Sequence, residues 1–272
     1  MRVQPAFVVS ILLVLGSCAR NNTESVHSRD NLGLRGNVPE VPDSQEVLEH
    51  EVPAQMSSEN DPWLRKRSEM VDFQIRRRGV QDERVLEVMA QIPRHLFVPK
   101  NLQSQAYDDY PLPIGYGQTI LQPYIVALMT ELVRPEPGDR ALEIGTGCGY
   151  QAAVLSELVQ EVYSIEIVEP LAKDASSRLK QLGNTNVEVR FGDGYQGWAE
   201  HAPFQIIVVA AAPDHVPQPL LDQLAPNGRM VIPVGRHSQA LQLIEKSHDG
   251  SLRHSRITAV AFVPMTGIAE NE

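Results

Sequence analysis

Leu142-Glu143-Ile144-Gly145-Thr146-Gly147-Cys148-Gly149-Tyr150 is the stretch on which the reading of the fold turns. An apolar strand-like run, Arg140–Ile144, leads into three alternating glycines, and a helical pattern over Tyr150–Val159 leads out. Glycine at such a turn lets the backbone bend sharply and approach a ligand closely. A helix starting near Tyr150 offers free N–H groups and a partial positive charge to a carboxylate. Downstream, Glu161–Ile165, Val187–Phe191, Phe204–Val209 and Arg229–Val234 read as strands, with helices at Glu169–Leu182 and Pro217–Leu224. This alternation implies right-handed crossovers and a parallel sheet covered on both faces. Ala240–Lys246 and Leu252–Val263 then form two strands joined by His248-Asp249-Gly250, in which Asp-Gly is the turn signal. The expected fold class is α/β, a mostly parallel sheet closed by a C-terminal β-hairpin.

Upstream the pattern is helical. Met70, Phe73 and Ile75 recur among charges from Trp63 to Arg78 and predict an amphipathic helix that Gly79 stops. Asp82 caps a second helix to about Gln91, with Val85, Leu86, Val88 and Met89 inward, and Ile92-Pro93 ends it. Residues 99–121, rich in Pro, Gly and Tyr, read as a long loop. Gln122 to Arg134 reads as a helix with Pro123 in its first turn.

Ligands of open α/β sheets bind at the carboxyl ends of the strands. Three acids fall there. Glu143 precedes the glycines, Glu166 ends the next strand, where a carboxylate can accept both ribose hydroxyls, and Asp193 follows the third strand in Gly192-Asp193-Gly194. The dinucleotide fingerprint is G-x-G-x-x-G. Here Gly145, Gly147 and Gly149 make G-x-G-x-G, which favours S-adenosylmethionine, whose cationic methionine end tolerates an acid two residues before the first glycine. The plainer alternative is that Glu143 and Asp193 only cap neighbouring helices. With its closing hairpin, the expected architecture is that of the Rossmann-like S-adenosylmethionine-dependent methyltransferases with extra N-terminal helices.

Composition narrows the remainder. The chain has 272 residues, 42% of them hydrophobic, and a net charge of −10, which argues against coating phosphate backbones and so against a nucleic-acid partner. Two cysteines make neither a disulfide scaffold nor a four-thiolate zinc site, and His201, His215 and His237 follow no ligand spacing, so no metal is expected. The charge is uneven. Residues 19–62 carry nine acids against three bases, lack Phe, Trp and Tyr, and include Pro39, Pro42, Pro53 and Pro62. They read as a disordered acidic tether. Residues 1–18 place Arg2 before an apolar run, Ala6 to Leu15, then Leu15-Gly16-Ser17-Cys18, a signal-like segment resembling a bacterial lipobox with a lipid anchor at Cys18. Three segments follow: 1–18 signal-like, 19–62 tether, 63–272 catalytic domain. Alternatively translation starts downstream, at Met56 or Met70.

From about residue 65 to 268 the chain resembles the protein-L-isoaspartate O-methyltransferases. The resemblance runs through Ile92-Pro93-Arg94, Phe97-Val98-Pro99, Leu112-Pro113-Ile114-Gly115, Gly117-Gln118-Thr119-Ile120, Gln122-Pro123, the glycine loop, Gly192-Asp193-Gly194, Ala211-Ala212-Pro213, Pro233-Val234-Gly235 and Phe262-Val263-Pro264. The Gly-Gln-Thr-Ile and Gln-Pro block is the family-specific part. The resemblance implies transfer of a methyl group from S-adenosylmethionine to the free carboxylate of L-isoaspartyl, and by extension D-aspartyl, residues in damaged proteins and peptides. It also implies N-terminal helices over the site. By position, Ile120, Glu143, Gly145, Gly147, Gly149, Glu166, Asp193, Gly194 and Thr266 hold the cofactor, with Asp193 toward the adenine amino group. Gln118 and Val263 adjoin the substrate, and Thr119 shares the catalytic position with Leu121. There the sequence departs from the family, which usually has Ser at this place. Tyr110, Tyr116 and Tyr124 are candidate peptide contacts.

Leu121 also supports a rival, a non-catalytic binder of damaged protein or cofactor. A small-molecule carboxyl methyltransferase is a second rival. An amine-methylating enzyme is disfavoured, because Ala210-Ala211-Ala212-Pro213-Asp214 replaces the expected Asn-Pro-Pro-aromatic motif. The expected assembly is a monomer and the expected compartment the cytoplasm, where the cofactor is made. Export and anchoring at Cys18 is the alternative.

Overall fold

The structure is a computed structural model that describes residues 61–270. Its centre is a seven-stranded sheet of β3 (Arg140–Ile144), β4 (Glu161–Glu166), β5 (Val187–Phe191), β6 (Phe204–Val209), β7 (Leu224–Val234), β8 (Gln239–Lys246) and β9 (Leu252–Val260). The strand order is β5-β4-β3-β6-β7-β8-β9. The first five strands in that order pair parallel, and β8 and β9 add antiparallel as a meander. The chain leaves β3 toward β4 on one side and later returns to pair β6 on the other, so the sheet's switch point lies at the carboxyl end of β3.

Alternation along the buried strands assigns each face. Ala141, Ile206 and Val208 face a core shared with Met70, Leu86, Met89, Phe97, Met129, Tyr150 and Leu155, which is the helical face. Leu142, Ile144, Ile207 and Val209 face Tyr163, Trp198, Phe204, Leu220 and Met230 on the other side. Strands buried on both faces read as continuous apolar runs, as these do. The helical face is built by α2 (Glu83–Gln91), α3 (Pro123–Val133) and α4 (Tyr150–Ser156), with α5 (Glu169–Gln181) beside β4 and β5. As expected, Asp82 caps α2, accepting from the Arg84 N–H, and Pro123 opens α3.

Two expectations need correction. The helix expected from Trp63 to Arg78 changes pitch twice. It is α-helical over Leu64–Glu69 (α1), π over Met70–Ile75 and 3-10 over Arg76–Arg78, and ends at Gly79 in the left-handed region. The wider turn shifts the angular positions of the residues within it. Met70, Val71 and Ile75 are buried, but Phe73 is 52% exposed, with the Arg77 guanidinium 4.3 Å from its ring centre. Residues 99–121 are also no simple loop. A 3-10 stretch, Lys100–Gln105, precedes a hairpin of β1 (Leu112–Gly115) and β2 (Gln118–Ile120), with Tyr116 at its tip.

Candidate active site

A cleft opens at the switch point. One wall is the end of β3 with the glycine loop, a second is β2 with Leu121, and a third is residues 263–266. Each wall has a local cause. The glycine loop is pinned from below, because the Gly145 N–H donates to the Ile165 carbonyl at 2.8 Å, and the Glu166 carboxylate accepts from the N–H groups of Gly147 (2.7 Å) and Val168 (2.9 Å). Gly149 is the N-cap of α4. Gly147 has φ +54°, and a Cβ there would come within 3.2 Å of Ile114 Cδ1, so the hairpin rests directly on the loop. Residues 263–266 are tied to the sheet through Ala212, whose N–H and carbonyl pair with Val263 and Met265.

Glu143 lies in the floor of this cleft with no exposed surface. Its Oε2 accepts from the Ser164 hydroxyl at 2.5 Å, and the Ser164 and Thr146 hydroxyls are 2.6 Å apart. Its Oε1 is buried with no partner among the described residues. Burial pushes the carboxyl up to about 8, against the pull of the Ser164 hydrogen bond and helped by the neighbouring Glu166 charge. A buried acid with one free oxygen in a cleft is a ready counter-charge for a cationic ligand. This fits the sulfonium-bearing cofactor expected from the glycine spacing.

The other sequence-designated residues divide. Gln118, Thr119, Ile120, Leu121, Gly145, Gly147, Glu166, Gly194, Val263 and Thr266 all line the cleft. Gly149 stands behind it, against Leu179. Asp193 is not on the wall. Its Oδ1 accepts from the Tyr195 N–H and its Oδ2 from the Ile268 N–H, so its visible work is capping and tying down the C-terminal segment. Tyr116 is exposed at the hairpin tip, Tyr110 bonds Gln105 and Asp108, and Tyr124 lies under the Arg78 guanidinium. Sequence reasoning missed Ser164, which the β3–β4 register sets beside Glu143, and Thr146, whose hydroxyl meets that of Ser164. It also missed Ile114 as a packing residue and gave Arg94 no role, although both stand in quoted motifs.

Comparison with known proteins matches this geometry. The family model of protein-L-isoaspartate(D-aspartate) O-methyltransferase (PCMT) matches residues 65–270. Protein-L-isoaspartate O-methyltransferase 2 of Syntrophobacter fumaroxidans is 60% identical over 188 residues, covering 68% of this chain and 76% of its own length. The Picosynechococcus protein-L-isoaspartate O-methyltransferase is 54% identical over 207 residues, covering 76% of this chain and 93% of that protein. Among solved structures, a protein-L-isoaspartate O-methyltransferase superposes with TM-score 0.67 at 31% identity, over 74% of this chain and 66% of the other. A Plasmodium falciparum structure described as a beta-aspartate methyltransferase in complex with S-adenosyl-L-homocysteine gives TM-score 0.64 at 26% identity, over 74% of this chain and 98% of that one. By a family model spanning most of its length, and by relatives more than half identical, the chain belongs to the protein-L-isoaspartate(D-aspartate) O-methyltransferase family.

Proposed function

We propose that this chain carries the family's reaction, methylating the free carboxylate of L-isoaspartyl residues, and of D-aspartyl residues, in damaged proteins. The observation that carries the reading is one cleft that joins the family-specific strand Gln118–Ile120 to a buried acid suited to a cationic cofactor. S-adenosylmethionine supplies an electrophilic methyl group when bound. Gly145, Gly147, Glu166, Gly194 and Thr266 would hold it, with Glu143 facing its charge.

The acceptor needs little help from acid–base chemistry. A carboxylate has a reference pKa near 4 and is ionised at neutral pH, so displacement requires no general base. The cleft wall carries no His or Lys among the described residues, in keeping with this. Acceleration then comes from orientation and proximity. Thr119 and backbone N–H groups of the loop are the proposed donors to the carboxylate, with Gln118 and Val263 beside the peptide. The methyl ester formed is a better electrophile than the carboxylate. The following peptide nitrogen attacks it, loses its proton and expels methanol, leaving a succinimide that reopens toward the normal linkage.

Transfer of labelled methyl from S-adenosylmethionine to an isoaspartyl peptide tests the reading, with the normal aspartyl peptide as control. Base-labile label only on the isoaspartyl peptide is the expected result. Cofactor binding without transfer would instead establish the non-catalytic binder that Leu121 raises, and transfer only to small carboxylic acids would redirect the substrate class.

A further inference from the structure

Arg94 opens a 3-10 turn, Arg94–Phe97, directly after Ile92-Pro93, and has no exposed surface. Its Nε donates to the Ala106 carbonyl at 2.6 Å and one Nη to the Leu121 carbonyl at 2.6 Å. The other Nη is buried and has no partner among the described residues. Its guanidinium carbon lies 4.7 Å from the centre of the Tyr150 ring. Among the described residues no carboxylate pairs with it. The titratable groups facing it are Tyr150 from α4, Cys148 from the glycine loop and Tyr107 ahead of the hairpin. Burial raises the pKa of each of the three, so all are neutral at physiological pH.

A guanidinium stays protonated in proteins, and one buried without a counter-ion is costly. Its position bears on what offsets that cost. Leu121 and Tyr150, which it touches, both form the cleft wall, so Arg94 stands one side chain behind the site. By peptide planarity the Leu121 carbonyl turned toward Arg94 sends the Gln122 N–H the opposite way. That N–H has no acceptor among the described residues.

We infer that Arg94 is a positioning residue for the substrate carboxylate: it fixes the Leu121–Gln122 peptide plane and keeps a buried positive charge behind the loop, which the incoming carboxylate neutralises. In this chain the charge takes on particular weight, because Leu121 has no hydroxyl to offer. The inference rests on the isoaspartyl methylation reading.

The test uses full-length wild type, Arg94→Met and Arg94→Lys, with kcat and KM on an isoaspartyl peptide from pH 4 to 8. Calorimetric binding of S-adenosylhomocysteine runs in parallel. In Arg94→Met, KM for the peptide rises about tenfold or more, while cofactor-product affinity stays within about threefold. The acidic limb of kcat, which reports ionisation of the bound carboxyl, moves up by about one pH unit. Arg94→Lys keeps the charge but not the double carbonyl grip, so KM rises and the acidic limb stays in place. If the Met variant fails to fold, the Lys variant carries the test alone, and an unchanged KM there overturns the inference. Unchanged KM and pH profile in folded variants overturn it too. A tenfold loss of S-adenosylhomocysteine binding with unchanged KM also overturns it, assigning Arg94 to the cofactor's carboxylate. A wild type that methylates no isoaspartyl peptide defeats the functional reading and this inference together, whereas an active wild type with unshifted variants defeats this inference alone.

Discussion

Glu143 sits in the resting protein as a neutral acid, held there by burial up to about pH 8. Its free Oε1 is the feature a cationic ligand completes, so binding the cofactor below pH 8 should expel a proton. Calorimetry of S-adenosylmethionine binding at pH 7 in buffers of different ionisation enthalpy should show a release approaching one proton, and no buffer dependence would refute it. Stability follows with a definite sign. The unfolded carboxyl ionises near its ordinary value of 4.5 and the folded one near 8, so the folded state binds more protons between those values. Stability contributed at this site is therefore greatest below about 4.5, declines as pH rises and is fully lost above about 8. Glu143→Gln should raise the melting temperature of the empty protein at pH 9 while weakening cofactor binding. At Leu121, the missing hydroxyl amounts to one hydrogen bond to a charged group, about 1.5–3 kcal/mol. Leu121→Ser should raise kcat/KM for an isoaspartyl peptide by about tenfold or more, and an unchanged value would show the hydroxyl to be dispensable. Glu143 and Leu121 were legible as residues of the cleft because each stands in a contiguous motif. Ser164 was not, because it reaches Glu143 only through pairing of two strands, and the tie from Asp193 to Ile268 was hidden because Ile268 lies far along the chain.

The β1–β2 hairpin is the element the sequence hid. Its strands have four and three residues, one of them a proline, too short for alternation to declare itself. What holds it is contact: Ile114 rests on Gly147 at a distance where a Cβ would be crowded, and at a backbone angle that already disfavours one. Gly147→Ala should thus lift the hairpin and strain the loop, weakening cofactor binding by about tenfold or more in calorimetry while the melting temperature falls only modestly. The helical layer behind it carries a separate pH response. His95 is stacked on Trp63 at 4.6 Å and bonded to the Tyr107 hydroxyl at 2.7 Å, and burial together with the Arg67 charge lowers it to about 4. An unfolded His titrates near 6.5, so the stability this packing supplies is complete above that pH and lost as pH falls toward 4. Melting temperatures between pH 7 and 4.5 should fall less in His95→Gln than in wild type. By contrast, α2 and α3 were legible to within a residue, since Asp82 and Pro123 are local signals that need no tertiary partner.

At the scale of the molecule, the order of strands and helices from Arg140 onward follows the alternation of apolar runs, and the sheet's switch point put the cleft where such sheets bind ligands. The expected signal-like segment, the expected lipobox at Cys18 and most of the expected acidic tether lie outside the described residues, and no helix within residues 61–270 is long and apolar enough to cross a membrane. The described residues all belong to one unit, His50–Glu272. A chain beginning at Met56 should therefore melt within about 3 °C of the full protein and keep its kcat/KM on an isoaspartyl peptide. A large loss of either would show that the acidic segment takes part. The net charge of −10 then says less about substrate choice than its size suggests, because −6 of it falls in residues 19–62. Residues 263–266 form the third wall of the cleft, and Ile268 is clasped by Asp193 at a turn where Gly267 leaves no space for a side chain. Residues 263–268 follow every strand of the sheet in the chain. A chain cut back to residue 262 would keep every strand of the sheet and still lack one of the three walls, so losing the C-terminal segment should abolish cofactor capture while leaving the sheet intact.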